Sequence, residues 1–188
     1  MIGAVLAGGA GSRMGSAKPA APLAGRPLVA YPAATLGEVC ERVAVVCKQS
    51  TELPLLPGVE RWDEPELPLH PLTGIAFALE RAREPVLVCA ADMPFVTADA
   101  CRSLMAAARA RASVRAAVAV ADGILQPVVG VYSPTALPAL RAAEPDAPLT
   151  RTVESIDPVR VALPPAVMRS VDTREDLIRA EAELRSRA

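Results

Sequence analysis

The stretch "AVLAGGAGSRMGSAK", residues 4–18, opens as an apolar β-type run and breaks into four glycines, Gly8, Gly9, Gly11 and Gly15. Two cations, Arg13 and Lys18, follow within the same short segment. Glycines directly after a strand let backbone N–H groups converge on an anion, and a nearby cation neutralises it. Two standard phosphate motifs differ from this pattern. A P-loop ends in Gly-Lys, and the sequence contains no such pair. The dinucleotide fingerprint reads G-x-G-x-x-G, whereas Gly9, Gly11 and Gly15 give G-x-G-x-x-x-G. The acid expected after the second strand of a dinucleotide fold is also missing, since Cys47-Lys48 stands there. A purely structural glycine turn is the plainer alternative, but it leaves the two cations unmotivated.

Outward from that loop, β-type runs alternate with Ala/Leu/Arg-rich helical stretches. The patterning predicts strands at Ile2–Leu6, Arg42–Cys47, Val86–Ala90, Ala116–Ala121, Val128–Tyr132 and Val159–Leu163. It predicts helices at Pro27–Val39, Leu72–Arg83, Ala98–Arg111, Pro134–Ala142 and Arg174–Arg187. Several strands are apolar throughout, as a sheet covered on both faces requires. The expected fold is therefore α/β, a sandwich around a mostly parallel sheet, in one domain over 1–188. Thr97 is expected to cap the helix that follows it, and Thr173 with Asp176 reads as a capping box. The proline-rich segments 54–71 and 144–165 read as loops. In such sheets ligands bind beyond the carboxyl ends of the strands.

Charge narrows the partners. Twenty basic residues against 21 acidic leave a net charge of −1, which attracts neither nucleic acid nor an anionic membrane. With only 3% aromatic residues, the core must rest on Ala, Val and Leu. The four cysteines, Cys40, Cys47, Cys89 and Cys101, show no metal-type spacing, so a reduced, cytoplasmic protein is expected. No secretory leader is expected at the start, where Ile2 already opens a strand. No apolar run approaches the ~18 residues of a membrane span.

Three further constellations carry chemistry. In "VLVCAADMPFVT", residues 86–97, Asp92 follows an apolar strand, where a hard oxygen ligand could hold Mg²⁺ against a phosphate; a plain turn aspartate before Pro94 is the alternative. Asp63 precedes "HPLTGIAFALERA", whose Thr73-Gly74 helix start could approach an anion or a sugar hydroxyl. The lone His70 reads as solvated. In "SVDTREDL", residues 170–177, Asp172 could reach a metal from across the cleft, or simply precede the Thr173 cap.

Together these stretches resemble the nucleotidyltransferase family of MobA-type molybdenum cofactor guanylyltransferases over nearly the whole chain. "LAGGAGSRMGSAK" is similar to that family's L-A-G-G-x-x-S-R-M-G-x-x-K signature. "HPLTGIAFAL" resembles its G-P-L-A-G-I segment, "CAADMPFVT" its D-M-P strand, "QPVVGVY" its Q-P-hydrophobic strand and "VDTREDL" its N-T-P-E-D-L ending. The resemblance implies a Rossmann-like three-layer α/β/α fold, Mg²⁺, and transfer of GMP from GTP to Mo-molybdopterin with release of pyrophosphate. It implies that Leu6, Ala7, Gly8 and Gly9 bind the nucleotide, with Gly8 leaving room for a purine edge. Lys18 would meet the triphosphate and Asp63 the guanosine. Asp92 would hold metal and phosphate, with Asp172 as a further metal ligand, and Arg13 and Lys18 would act on the leaving group. Lys48, merely following a strand, is expected to contribute little to GTP binding and transfer.

Three departures stand out: His70 for a glycine, Cys47 for an asparagine, and Asp172 for an asparagine, a form similar to cytidylyltransferase relatives. The alternatives are a cytidylyltransferase, another nucleotidyltransferase acting on a small phosphorylated acceptor, and a GTP-binding regulatory module without turnover. Proteins that deliver or accept the pterin are expected partners, and the chain itself is expected to be a monomer or weak homo-oligomer.

Overall fold

The computed structural model describes residues 1–8, 18–111, 113–144 and 147–186. The first strand, β1 (Ile2–Leu6), lies between two parallel neighbours, β4 (Arg42–Lys48) and β6 (Val86–Ala90). Beyond β4 lies the edge strand β5 (Val59–Glu64). Beyond β6 come β8 (Ile124–Tyr132), β7 (Ala116–Ala121) and β9 (Val159–Ala162), giving the order β5-β4-β1-β6-β8-β7-β9. Only β8 runs against the others. A two-stranded ribbon of β2 (Pro22–Leu23) and β3 (Arg26–Pro27) lies apart from this sheet.

Both faces are covered, which explains the unbroken apolar runs. Successive side chains of a strand point to opposite faces. On one face Val5, Val45, Leu87 and Cys89 pack with Ala33 and Leu36 of α1 (Ala30–Gly37) and Cys101 and Leu104 of α3 (Ala98–Arg109). On the other, Ile2, Ala4, Val46, Trp62 and Val88 meet Ile75, Ala78 and Leu79 of α2 (Pro71–Ala82). Leu140 of α4 (Leu137–Ala142) and Val153 of α5 (Leu149–Glu154) complete that layer. Cys47, Cys89 and Cys101 are buried as small hydrophobes and Cys40 partly so, all four as free thiols. A third cluster joins Leu23, Leu28, Phe95 and Val171 to Ala180 of α6 (Arg174–Ser186).

Several boundaries differ from the sequence reading. β5 lies inside the expected loop 54–71, and α5 inside 144–165. The helix expected from Pro27 begins at Ala30, because Pro27 belongs to the ribbon. β8 starts at Ile124 rather than Val128, straight after a turn in which Asp122 and Gly123 both have positive φ. The expected caps are in place. Thr97 Oγ1 accepts from Ala100 N at 3.3 Å, and Thr173 and Asp176 exchange backbone N–H bonds at 2.9 and 3.1 Å.

β1 is the switch point of the sheet. The chain leaves it through α1 to β4 on one side and returns through α2, on the other face, to β6 on the other side. The carboxyl ends of β1, β4, β5 and β6 therefore share one edge, where such sheets bind ligands.

Candidate active site

At that edge β1 continues as extended backbone held on both sides. Ala7 N donates to Val46 O at 2.8 Å, and Ala91 N donates to Leu6 O at 2.9 Å. Leu6, Ala7 and Gly8 are thus fixed between the ends of β4 and β6. Gly9 and Arg13 lie outside the described residues. The chain is described again at Lys18, the first residue of a short 3-10 turn.

Lys18 brings two distant acids together. Its Nζ donates to Asp92 Oδ2 at 2.7 Å and to Asp172 Oδ1 at 3.0 Å. Asp92 stands two residues beyond β6, on a turn anchored by the buried Met93, Phe95 and Val96. Asp172 stands just before α6, and Val171 N donates to Asp92 O at 2.8 Å, which latches the two segments to each other. Asp172 N donates to Asp176 Oδ2 at 3.2 Å, and Ser170 Oγ donates to Asp172 Oδ2. Burial works against the Lys18 ammonium, but the Asp92 and Asp172 carboxylates outweigh it and hold the group above the ordinary lysine range. Burial likewise opposes the Asp172 charge, yet hydrogen bonds from Ser170 and Lys18 keep its carboxyl below the usual range.

A second charged pair lies at the ends of β4 and β5. Lys48 and Glu64 are 3% and 6% exposed, with Lys48 Nζ 3.4 Å from Glu64 Oε1. Lys48 Nζ also donates to the carbonyls of Pro65 and Pro68, tying down the loop that leads to α2. The other carboxylate oxygen, Glu64 Oε2, has no hydrogen-bond partner among the described residues. Burial pushes the Glu64 carboxyl up, against the pull of Lys48. This pair corrects the placement of Lys48: the strand runs one residue further than the expected Arg42–Cys47, so Lys48 is buried within it rather than following it. It also corrects the role given to the missing side chain of Gly8. A Cβ there would lie 1.8 Å from Glu64 Oε1, so the space is taken by Glu64 and not left open for a base.

Asp63 faces the opposite way from Glu64, as neighbours on a strand must. It is about half exposed, accepts from Arg61 Nε at 2.7 Å and lies 3.9 Å from Cys47 Sγ. Arg61 also donates to the carbonyls of Lys48, Gln49 and Thr51, bracing the loop after β4. Burial raises the Cys47 thiol to about 11, which removes it as a nucleophile near neutrality. His70 is the N-cap of α2, its Nδ1 accepting from Leu72 N at 3.2 Å.

Asp92 and Asp172 offer hard oxygen donors, and the ammonium between them is a stand-in cation, so the pair fits Mg²⁺. No group of three or more metal-binding side chains occurs among the described residues. Mg²⁺ takes one or two protein carboxylates and completes its shell with phosphate oxygens and water, so two carboxylates suffice for it.

A mostly parallel sheet with a lysine and two carboxylates beyond its carboxyl edge is an arrangement suited to phosphate chemistry. The chain belongs to the MobA-like NTP transferase domain family, whose model matches residues 3–159, and it is a nucleotidyltransferase. It is 34% identical over 202 residues to the molybdenum cofactor guanylyltransferase of Rhodobacter capsulatus, covering 100% of this chain and 98% of the relative. A probable molybdenum cofactor guanylyltransferase of Rhodopirellula baltica is 30% identical over 189 residues, covering 94% and 90%. Among solved structures, molybdopterin-guanine dinucleotide biosynthesis protein A of Archaeoglobus fulgidus superposes with a TM-score of 0.77 at 24% identity, with both chains covered in full. The fold is shared more widely: 2-C-methyl-D-erythritol 4-phosphate cytidylyltransferase of Thermus thermophilus gives a TM-score of 0.72 at 18% identity, covering 97% and 98%.

Proposed function

We propose that this protein is a molybdenum cofactor guanylyltransferase. An oxygen of the terminal phosphate of Mo-molybdopterin attacks the α-phosphorus of GTP; the α–β phosphoanhydride bond breaks, and pyrophosphate leaves. The observation that carries the chemistry is the Lys18 ammonium set between Asp92 and Asp172 at the end of β6. The guanylyl identity is supported by the full-length likeness to the Rhodobacter capsulatus enzyme.

Two anions must be brought together, so positioning and charge neutralisation supply the catalysis. In this reading Lys18 and Arg13 neutralise the triphosphate and the leaving pyrophosphate. Leu6, Ala7, Gly8 and Gly9 form the nucleotide-binding edge, and Asp63 contacts the guanosine. Asp92, with Asp172 beside it, holds Mg²⁺, which supplies Lewis-acid stabilisation of phosphate charge when bound. No side chain acts as nucleophile, in keeping with the raised Cys47 thiol.

The protein is taken to act in the cytoplasm as a single 1–188 domain, as a monomer or weak homo-oligomer, exchanging pterin with delivering or accepting proteins. No helix among the described residues is long and apolar enough to cross a membrane. The test is pyrophosphate release from each of the four NTPs with Mo-molybdopterin and Mg²⁺, for wild type and Asp92→Ala. GTP-selective release that Asp92→Ala abolishes is expected. A preference for CTP would overturn the guanylyl assignment, and release from no NTP would favour a regulatory module.

A further inference from the structure

Lys18 competes with a divalent cation for one pair of carboxylates. The ammonium takes Asp92 Oδ2 at 2.7 Å and Asp172 Oδ1 at 3.0 Å, the place between the two acids where a cation bridging them would sit, and its side chain is only 16% exposed. Charge-assisted bonds of this kind are the strong ones, and here one donor closes two of them. Yet the carboxylates do not need Lys18 to stay adjacent. Val171 N holds Asp92 O at 2.8 Å, Asp172 N is anchored on Asp176 Oδ2 at 3.2 Å, and Ser170 Oγ holds the second oxygen of Asp172. If the lysine departs, two aligned acids remain, held among the described residues by the backbone latch, the Asp176 anchor and the Ser170 hydroxyl.

Resting on the assignment of Asp92 and Asp172 as the magnesium carboxylates, we propose that Lys18 is a built-in competitor for the metal, an internal counter-ion that keeps the divalent site closed until a triphosphate draws the ammonium away. One lysine then has two successive partners. It neutralises the acids first, and the phosphates afterwards. Metal and nucleotide bind with positive coupling, because each removes the obstacle to the other: the triphosphate takes the ammonium, and the metal takes the carboxylates. Free divalent ion, lacking a sink for the ammonium, is held poorly.

The test titrates nucleotide-free protein with Mn²⁺, following free ion by electron paramagnetic resonance. Lys18→Met should bind Mn²⁺ at least about tenfold more tightly than wild type, while Lys18→Arg, which keeps the charge, should stay near wild type. Adding Asp92→Asn to Lys18→Met should erase the gain. Melting gives an independent readout. In chelator Lys18→Met should melt below wild type, and Mg²⁺ should restore it, whereas the wild-type melt should barely respond. Unchanged or weaker Mn²⁺ binding by Lys18→Met overturns the proposal. If wild type with GTP still retains Mn²⁺ through Asp92, that result leaves the metal assignment standing. Loss of Mn²⁺ retention in every state, with Asp92→Asn indistinguishable from wild type, would overturn the assignment and the proposal together.

Discussion

Lys48 and Glu64 show what one buried charge does to its neighbours. Lys48 neutralises Glu64 and satisfies two loop carbonyls, so Lys48→Met strands a buried carboxylate and frees the loop before α2. Removing one partner of a buried pair costs about 3–5 kcal/mol, a fall in Tm of roughly 10 °C for a domain of this size. The pH dependence has a definite sign. The Glu64 carboxyl already lies above its ordinary value of 4.5, and losing Lys48 raises it further. For an acid with a raised folded-state pKa, stability falls as pH climbs from the ordinary value towards the raised one. Lys48→Met should therefore regain stability on acidification, checked by melts from about pH 8 to about pH 5. Gly8→Ala probes the same carboxylate from the strand beside it. The new methyl meets Glu64 Oε1, so about 1–3 kcal/mol of overpacking is expected. The clash is with protein and not with a base, so turnover of GTP and CTP should fall alike. In a Glu64→Ala background the added cost of Gly8→Ala should largely vanish; equal costs in both backgrounds would remove Glu64 as the cause.

At the scale of elements, caps and turns decide where helices and strands begin. Thr97→Ala removes the side-chain acceptor for Ala100 N at the start of α3. A loss of about 1 kcal/mol is expected, or roughly 2–4 °C by differential scanning calorimetry. The Thr97 and Thr173 caps were readable because a hydroxyl stands just ahead of an apolar-periodic stretch. β5 was not. It is a six-residue edge strand set among prolines, and its apolar residues are only Val59 and the buried Trp62, three apart, so nothing in "VERWDE" alternates by polarity. Trp62 and Glu64 share a face by parity alone, which is how a buried Glu64 could have been found. The early start of β8 has its own signal in Asp122-Gly123, a strong hairpin dipeptide. Pro127, which cannot donate to the ladder, breaks the run where β8 slips register against β7, and so hid the first half of the strand.

For the whole molecule, the site depends on a latch between distant parts of the chain. Val171 is buried in the small cluster under α6, and its N–H holds Asp92 O. Leu140 is equally buried, but in the layer with α2 and α5. Val171→Ala should cost about 2 kcal/mol and Leu140→Ala about 2–5 kcal/mol. Assayed well below the melting range, Leu140→Ala should keep near-wild-type turnover while Val171→Ala loses more of it, because the buried Val171 side chain seats the segment whose backbone N–H meets Asp92 O, next to Asp172. If kcat falls in proportion to stability in both variants, the latch has no part in positioning the acids.

Strand and helix alternation, the end of β1 before Gly8, and Asp92 just beyond a strand end were all legible, because each is a local pattern of hydrophobicity or turn chemistry. Those patterns gave the α/β class, the mostly parallel sheet, and the edge at which sheets of this kind bind ligands. Pairings across the chain were not legible. Lys18 meets Asp92 and Asp172 at sequence separations of 74 and 154, and no local pattern encodes which of several acids a lysine reaches. Nor does composition tell that Lys48 and Glu64 are buried together or that Gly8 makes way for Glu64. Those facts follow from how β1, β4, β5 and β6 align their carboxyl ends, and only packing fixes that alignment.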